Sequence, residues 1–305
     1  MKASIWICVV FLLAFVALFC VASYKVGSQL LTERRENQGF EKLIAQVEAN
    51  REQAADADVP ATAEASGDSA EESAGDSTVE STGDPASEST GDSAGGSTGD
   101  SAGESTGERR MLPAYASLYA QNPDLFGWIE IEGTKVNYPV MHTPEDPEVY
   151  LHKAFDGSYS FSGVPFMDGG CYLDCGNYIV YGHNMKNGTM FASILSYAQQ
   201  DYWREHPVVR FDTLYERGTY EVVAALYSRA YSADEKGVFR YYSYRDLSDP
   251  EVFEEYVAQV RSAALYDTGL EVTYGDQLLT LSTCEYSAED GRFVVVARKL
   301  HTTDS

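Results

Sequence analysis

Cysteine, histidine and positive charge are all scarce in this chain, and each shortage removes a class of function. Five cysteines are spread over 305 residues. Cys8 and Cys20 lie in an apolar run, Cys171 and Cys175 stand four apart in a Gly-rich loop, and Cys284 is alone. That spacing offers neither a disulfide framework nor a four-ligand zinc site. Cys171 and Cys175 can close a local disulfide in an oxidising compartment or lie reduced. Only 22 Lys and Arg stand against 47 Asp and Glu, for a net charge of −25. A surface that acidic repels phosphate backbones and argues against a nucleic-acid partner. Of five histidines, His142, His152, His206 and His301 fall in loops, at an element end or at the tail. Only His183 ends an apolar strand beside a glycine, where sites collect on a rigid scaffold.

Charge is also missing from Ile5 to Ala22. Eighteen helical residues reach about 27 Å, close to the hydrocarbon thickness of a bilayer. The expectation is a retained anchor over 5–23 with residues 1–4 cytoplasmic; the rival is a cleaved signal peptide, whose apolar core usually runs about 7–15 residues. Flanking charges, Lys2 on one side and Lys25, Arg34 and Arg35 against Glu33 and Glu36 on the other, are too balanced to orient it. Residues 24–51 then carry Phe40, Leu43, Ile44 and Val47 at helical spacing, as expected of a juxtamembrane stalk or docking helix.

From 52 to 108 there are fifteen acidic residues, no Lys or Arg and no aromatic, in imperfect Ser-Thr-Gly-Asp repeats. Such a segment cannot bury enough apolar surface to offset chain entropy, so 52–110 reads as a disordered linker. Its root-mean-square span of about 40 Å suits a tether, although a neutral repeat expansion fits equally.

The remainder, 111–305, is long enough for one domain. Leu112 to Gln121 reads as a helix, and Phe126 to Gly133 and Val136 to Met141 as strands joined by a Gly-containing turn. An apolar strand from Asn177 ends at Gly182-His183. Helices are expected at Met190–Tyr197 and Gln199–Glu205, and strands at Val208–Asp212 and Tyr220–Arg229. Asp249-Pro250 opens the clearest helix, with Phe253, Tyr256, Val257, Val260 and Ala264 on one face. Strands are expected at Leu270–Tyr274 and Leu278–Cys284, and Arg292–His301 closes the domain. Many short strands with few helices between them point to a closed or half-closed β-barrel.

The chemistry gathers where Thr280-Leu-Ser-Thr-Cys284 meets a polar turn and then Arg292-Phe-Val-Val-Val-Ala-Arg298. An antiparallel pairing places Cys284 across from Arg292. A thiol is the strongest nucleophile among common side chains once a base or cation helps form the thiolate. A guanidinium, always charged, suits the oxyanion of a carbonyl under attack. His183 is the candidate base, although 101 residues separate it from Cys284. The bland alternative is a structural cysteine in a hairpin beside a solvated histidine.

Tyr-Gly-His-Asn-Met at 181–185, Thr-Leu-Ser-Thr-Cys at 280–284 and Gly-Arg-Phe-Val-Val-Val-Ala-Arg at 291–298 together resemble the sortase family, specifically class B. Asn122-Pro-Asp-Leu-Phe-Gly-Trp-Ile, Tyr138-Pro-Val, Phe166-Met-Asp, Met190-Phe and the long helix before the cysteine strand extend the resemblance over about 111–300. Cys171-Tyr-Leu-Asp-Cys175 departs from the pattern. The resemblance implies a mainly β fold: a closed barrel with short helices, one long helix before the catalytic strand, and an N-terminal transmembrane helix.

It also implies an extracytoplasmic cysteine transpeptidase of Gram-positive cells that needs no cofactor or metal. Such an enzyme cuts a C-terminal sorting signal of secreted proteins and joins the new carboxyl end to a peptidoglycan-precursor amine or, alternatively, a pilin lysine. Cys284 would attack the threonine carbonyl and form a thioacyl enzyme, and His183 would shuttle the proton. Arg292 would hold the oxyanion, together with the backbone N–H of Glu285. Tyr181, Ser282 and Thr283 are pocket-lining candidates and equally ordinary strand residues. A plain cysteine hydrolase and a non-catalytic wall-associated module are the remaining alternatives.

Overall fold

The computed structural model describes residues 2–57 and 109–300. Eight strands close into one barrel: β1 Leu125–Glu130, β2 Asn137–Met141, β3 Phe166–Met167, β4 Asn177–Tyr181, β5 Val208–Thr213, β6 Thr219–Arg229, β7 Leu278–Cys284 and β8 Gly291–Lys299. The order around it is β1-β2-β3-β4-β7-β8-β6-β5, with β5 returning to β1. Closure leaves no strand edge to pair with another chain. Most contacts are antiparallel, but β4 and β7 run parallel in register from Asn177↔Leu278 to Tyr181↔Ser282. The first six residues of β7 are all buried, which accounts for its near-continuous apolar and small-hydroxyl run. Gly127 marks the tightest approach in the barrel. A Cβ there would lie 2.1 Å from the Asp212 carbonyl oxygen on β5, and β1 carries its register shift at the same point.

α4, Pro250–Ala263, is built as its sequence asks. Proline occupies its first turn, and the Asp249 carboxylate caps it by accepting from Glu251 N at 2.8 Å and Val252 N at 3.3 Å. Phe253, Tyr256, Val257 and Val260 are buried, and burial of each such side chain stabilises by about 2 kcal/mol. Tyr256 meets Thr280 of β7, hydroxyl to hydroxyl at 2.8 Å, so α4 covers the face of β7 that carries Thr280 and Ser282.

α1, Lys2–Ala57, is one uninterrupted helix. By length and composition it can cross a membrane, and its described apolar residues from Leu12 to Leu31 are exposed. Further along, the expected stripe docks. Phe40 and Val47 are buried, and the Phe40 ring meets Tyr138 of β2 edge-on at 5.0 Å. Arg51 donates to Tyr115 of α2 (Pro113–Gln121) at 2.8 Å and pairs with Asp212 of β5 at 3.2 Å. The second half of α1 is therefore part of the folded body. Of the expected linker over 52–110, residues 52–57 belong to α1, and 58–108 lie outside the described residues, as does His301.

One local expectation is corrected. Leu270–Tyr274 is not a strand: Gly269 and Gly275 bracket it with φ of +72° and +100°, and the Asp276 carboxylate caps Thr273 N at 2.8 Å. An alternation of apolar residues fits a strand, but those turns take its backbone away from the sheet. The helix expected over 190–197 forms as a 3₁₀ helix, Phe191–Ala198. Its Phe191 ring packs where a Cβ on Gly182 would come within 2.6 Å, so Gly182 is what lets that ring lie against the end of β4. α3, Gln200–Glu205, follows it.

Candidate active site

β4, β7 and β8 are neighbours, and the site is built at one end of all three. The parallel register of β4 with β7 reaches Tyr181↔Ser282 and is carried two residues further by side-chain and backbone bonds. Gly182 N donates to Ser282 O at 3.1 Å, Thr283 Oγ1 donates to Gly182 O at 2.7 Å, and Asn184 Nδ2 donates to Cys284 O at 3.1 Å. His183 follows β4 by two residues and so comes to the same end of the sheet as Cys284. On the other side Cys284 is the Cα partner of Arg292. Partners across a sheet share a face, so thiol and guanidinium lie on one face of the β7–β8 pair, with His183 just past the end of the neighbouring β4. The 101-residue separation that the sequence could not bridge is closed by this one parallel strand pair.

His183 is held from a second direction. Its Nε2 lies 2.9 Å from the carbonyl oxygen of Leu151, in the 3₁₀ turn Val149–Leu151. A carbonyl only accepts, so Nε2 carries the proton and Nδ1 is the basic nitrogen of the neutral ring. The His152 ring stacks on it with centroids 5.6 Å apart, and Tyr159 stacks on His152 in turn. Burial pushes the His183 pKa below the ordinary 6.5; the Leu151 bond opposes this and the neighbouring His152 charge adds to it.

Cys284 is half-buried. Arg292 spends one nitrogen, Nη1, on the turn carbonyls Gly291 O at 3.0 Å and Asp290 O at 3.2 Å. Among the described residues no carboxylate is within ion-pair distance of it. Its remaining donors can therefore serve a ligand. The Glu285 amide, expected as a second oxyanion donor, is instead committed to Gly291 O at 2.9 Å, closing the hairpin. Its carboxylate accepts from Ser287 N and Oγ at 2.9 and 2.6 Å.

Of the other expected pocket residues Ser282 and Thr283 are buried and Tyr181 half-buried, and all three are bonded within the wall. Tyr181 donates to Asp168 Oδ2 at 2.9 Å, and Arg245 Nε holds the other oxygen of that carboxylate. Thr283 is spent on Gly182 O, and Ser282 Oγ meets the Tyr241 hydroxyl at 2.7 Å. Tyr241 is pushed up to about 12, chiefly by burial. His152 and Asn184 were not singled out in the sequence because each is one polar residue in a loop, and Tyr241 because it is one of several tyrosines in the run 241–244. A groove of about 610 Å³ between α4 and residues 266–272 adjoins Leu278, six residues back along β7 from Cys284 and so about 20 Å away.

The buried histidines make stability depend on pH. His142 also sits below the ordinary 6.5, mainly through burial, and its Nε2 has no hydrogen-bond partner. The folded state binds fewer protons than the unfolded chain once pH drops under about 6.5. The contribution of His142 and His183 is complete above that value and is lost as pH falls through their lower folded values. The melting temperature should be level from pH 8 to 7 and fall from about pH 6.5 to 5, well before carboxylates titrate. His142→Gln should flatten part of that fall.

Three comparisons bear on this arrangement. The Sortase domain family model matches residues 129–300. The chain is 30% identical over 195 residues to sortase B of Staphylococcus aureus, covering 63% of this chain and 76% of that one. It is 34% identical over 182 residues to sortase B of Listeria monocytogenes, covering 57% and 69%. A solved Staphylococcus aureus sortase B–substrate complex superposes with a TM-score of 0.54 at 28% identity, covering 63% of this chain and 87% of that one. A closed eight-strand barrel with a thiol, an imidazole and a guanidinium at one end of three adjacent strands therefore comes with matches in family, sequence and structure, and this chain belongs to the sortase family of cysteine transpeptidases, as a class B member.

Proposed function

We propose that Cys284 is the nucleophile, His183 the acid and base, and Arg292 the oxyanion partner of a transpeptidase acting on C-terminal sorting signals. The observation that supports the reading is the pairing of Cys284 with Arg292 across β7 and β8, together with the β4–β7 register that ends two residues short of His183. His183 Nδ1 takes the thiol proton, and the thiolate adds to the threonine carbonyl of the signal. Negative charge on that oxygen is met by Arg292. Collapse breaks the peptide bond, the leaving amine takes the proton back from His183, and a thioacyl enzyme remains. An acceptor amine then adds to the thioester, gives its proton to His183 and expels the Cys284 thiolate. Tyr181, with Ser282 and Thr283 behind it, forms the wall beside the thiol, and Glu285 shapes its rim.

The domain plan supports a location for this chemistry. Residues 5–23 anchor the chain in the membrane with 1–4 cytoplasmic, the rest of α1 to Ala57 leads to the barrel, the acidic linker runs on to 110, and 111–305 carry the catalysis outside. The substrates are secreted proteins of a Gram-positive cell, and the acceptor is a cell-wall amine, with a pilin lysine as the alternative.

The test is to incubate the protein with a panel of sorting-signal peptides, with and without an amine, and follow mass. A thioacyl adduct present in wild type and absent in Cys284→Ala, resolved into an amine-dependent product, is the expected result. An adduct resolved only by water would replace transpeptidation with hydrolysis. No adduct with any peptide, and ordinary thiol reactivity of Cys284, would remove the catalytic reading.

A further inference from the structure

Carboxylates on a helix surface usually bond to water, but half-buried Glu36 of α1 bonds to a neighbouring loop. Its Oε1 accepts from Phe161 N at 2.7 Å and from Ser160 Oγ at 2.9 Å, and its Oε2 accepts from Ser162 Oγ at 2.6 Å. Ser160 and Ser162 are 1% and 4% exposed. Removing the carboxylate would take away the acceptor of the Phe161 amide and of the buried Ser160 and Ser162 hydroxyls, which would keep only each other as acceptors, at 3.3 Å.

The loop so held is the one that supports the catalytic imidazole. Ser160 N donates to His152 O at 3.1 Å, Val164 N donates to Tyr150 O at 3.1 Å, and Gly163 N donates to Ser160 Oγ at 3.0 Å. Residues 158–164 are thereby laced to 150–154. From that second segment come the Leu151 carbonyl bonded to His183 Nε2 and the His152 ring stacked on it. Glu36 is thus two short segments away from His183 through hydrogen bonds alone.

We infer that Glu36 is a positioning residue for His183: the membrane-side helix locks the 158–164 loop, and through Leu151 and His152 that loop fixes the orientation and burial of the imidazole. This rests on the reading of His183 as the acid and base. One consequence is that the catalytic unit begins ahead of Glu36, not at Met111. The titratable group set against His183 is His152 from the 150–154 segment. Near Glu36 stand Glu33 and Arg35 on its own helix and Asp156 in the loop, whose carboxyl is held down chiefly by Ser158 and in part by Arg35.

The test uses the full chain in detergent micelles and reads kcat and KM against pH together with an NMR titration of the His183 ring. Glu36→Ala should lower kcat about tenfold with KM about unchanged, the signature of a misplaced catalytic group. The His183 titration should move up toward its ordinary value, because loosening the loop relieves the burial that depresses it. Glu36→Gln, which keeps one acceptor oxygen, should recover part of kcat. Ser162→Ala should give a smaller shift in the same direction, and it carries the test if Glu36→Ala does not fold. Arg51→Ala loosens the same helix elsewhere, so it should lower the melting temperature and leave the titration in place. An unmoved titration and kcat in both loop variants overturns the inference while wild type still turns over peptide. An equal shift in Arg51→Ala overturns it too, because the helix would then act on the fold as a whole. A wild type that forms no adduct fails the reading of the site itself.

Discussion

His183→Ala is expected to lower kcat/KM by about 10³–10⁴, because both chemical steps need a proton moved at the same point. In the wild type the ring is oriented by Leu151 O at Nε2, so Nδ1 is the nitrogen left to exchange protons. Without it, no side-chain base is left to take the Cys284 proton as the thiolate forms. The leaving amine must then take its proton from water. Residual acylation in the variant should rise with pH as hydroxide takes over from the imidazole, whereas the wild type should show the limb set by a depressed histidine. Single-turnover acylation by a sorting-signal peptide between pH 6 and 9 measures this. A loss of less than about tenfold would mean that His183 only packs against the site. The same substitution removes a buried base, so the acid-induced fall in melting temperature should shrink even as activity is lost.

What could be read from the sequence follows from how each contact is made. The Cys284–Arg292 pair was legible because an antiparallel hairpin fixes its own register, and the turn between the two strands is short. The long helix was legible from Asp249-Pro250 and its apolar stripe, down to the capping carboxylate. His183 could be singled out as a strand-end histidine, but not joined to Cys284. That contact is a parallel pairing between β4 and β7, and periodicity carries no information on which distant strands become neighbours. Leu270–Tyr274 misled because Leu270, Val272 and Tyr274 alternate as a strand would, while the flanking left-handed glycines turn the chain out of the sheet. The contacts that tune the site were invisible for a different reason. Leu151 acts through its backbone carbonyl, which no side-chain pattern encodes, and Glu36 reads as one more charge on a helix face. The amide of Glu285 was a reasonable oxyanion donor until Gly291 O was found to occupy it.

That occupied amide raises the demand on Arg292, and Arg292→Lys is expected to reduce kcat about 10²–10³-fold despite keeping the charge. The guanidinium spans two tasks at once. Nη1 is fixed by Gly291 O and Asp290 O, which anchors the group to the β7–β8 turn, while its other donors stay available for a developing oxyanion. A lysine ammonium is a single point at the end of a flexible stem. It can satisfy the turn carbonyls or reach the oxyanion, but it lacks the rigid fork that does both. The loss should appear in kcat and in kcat/KM alike, with KM about unchanged, because the interaction is made only when the carbonyl oxygen carries charge. Comparing Arg292→Lys with Arg292→Ala separates geometry from charge. If lysine restores most of the activity that alanine loses, a nearby positive charge is enough, and the fork has no special part. If both are about equally impaired, the anchored guanidinium is the oxyanion partner, and the hairpin that ties up the Glu285 amide is also what holds the arginine in place.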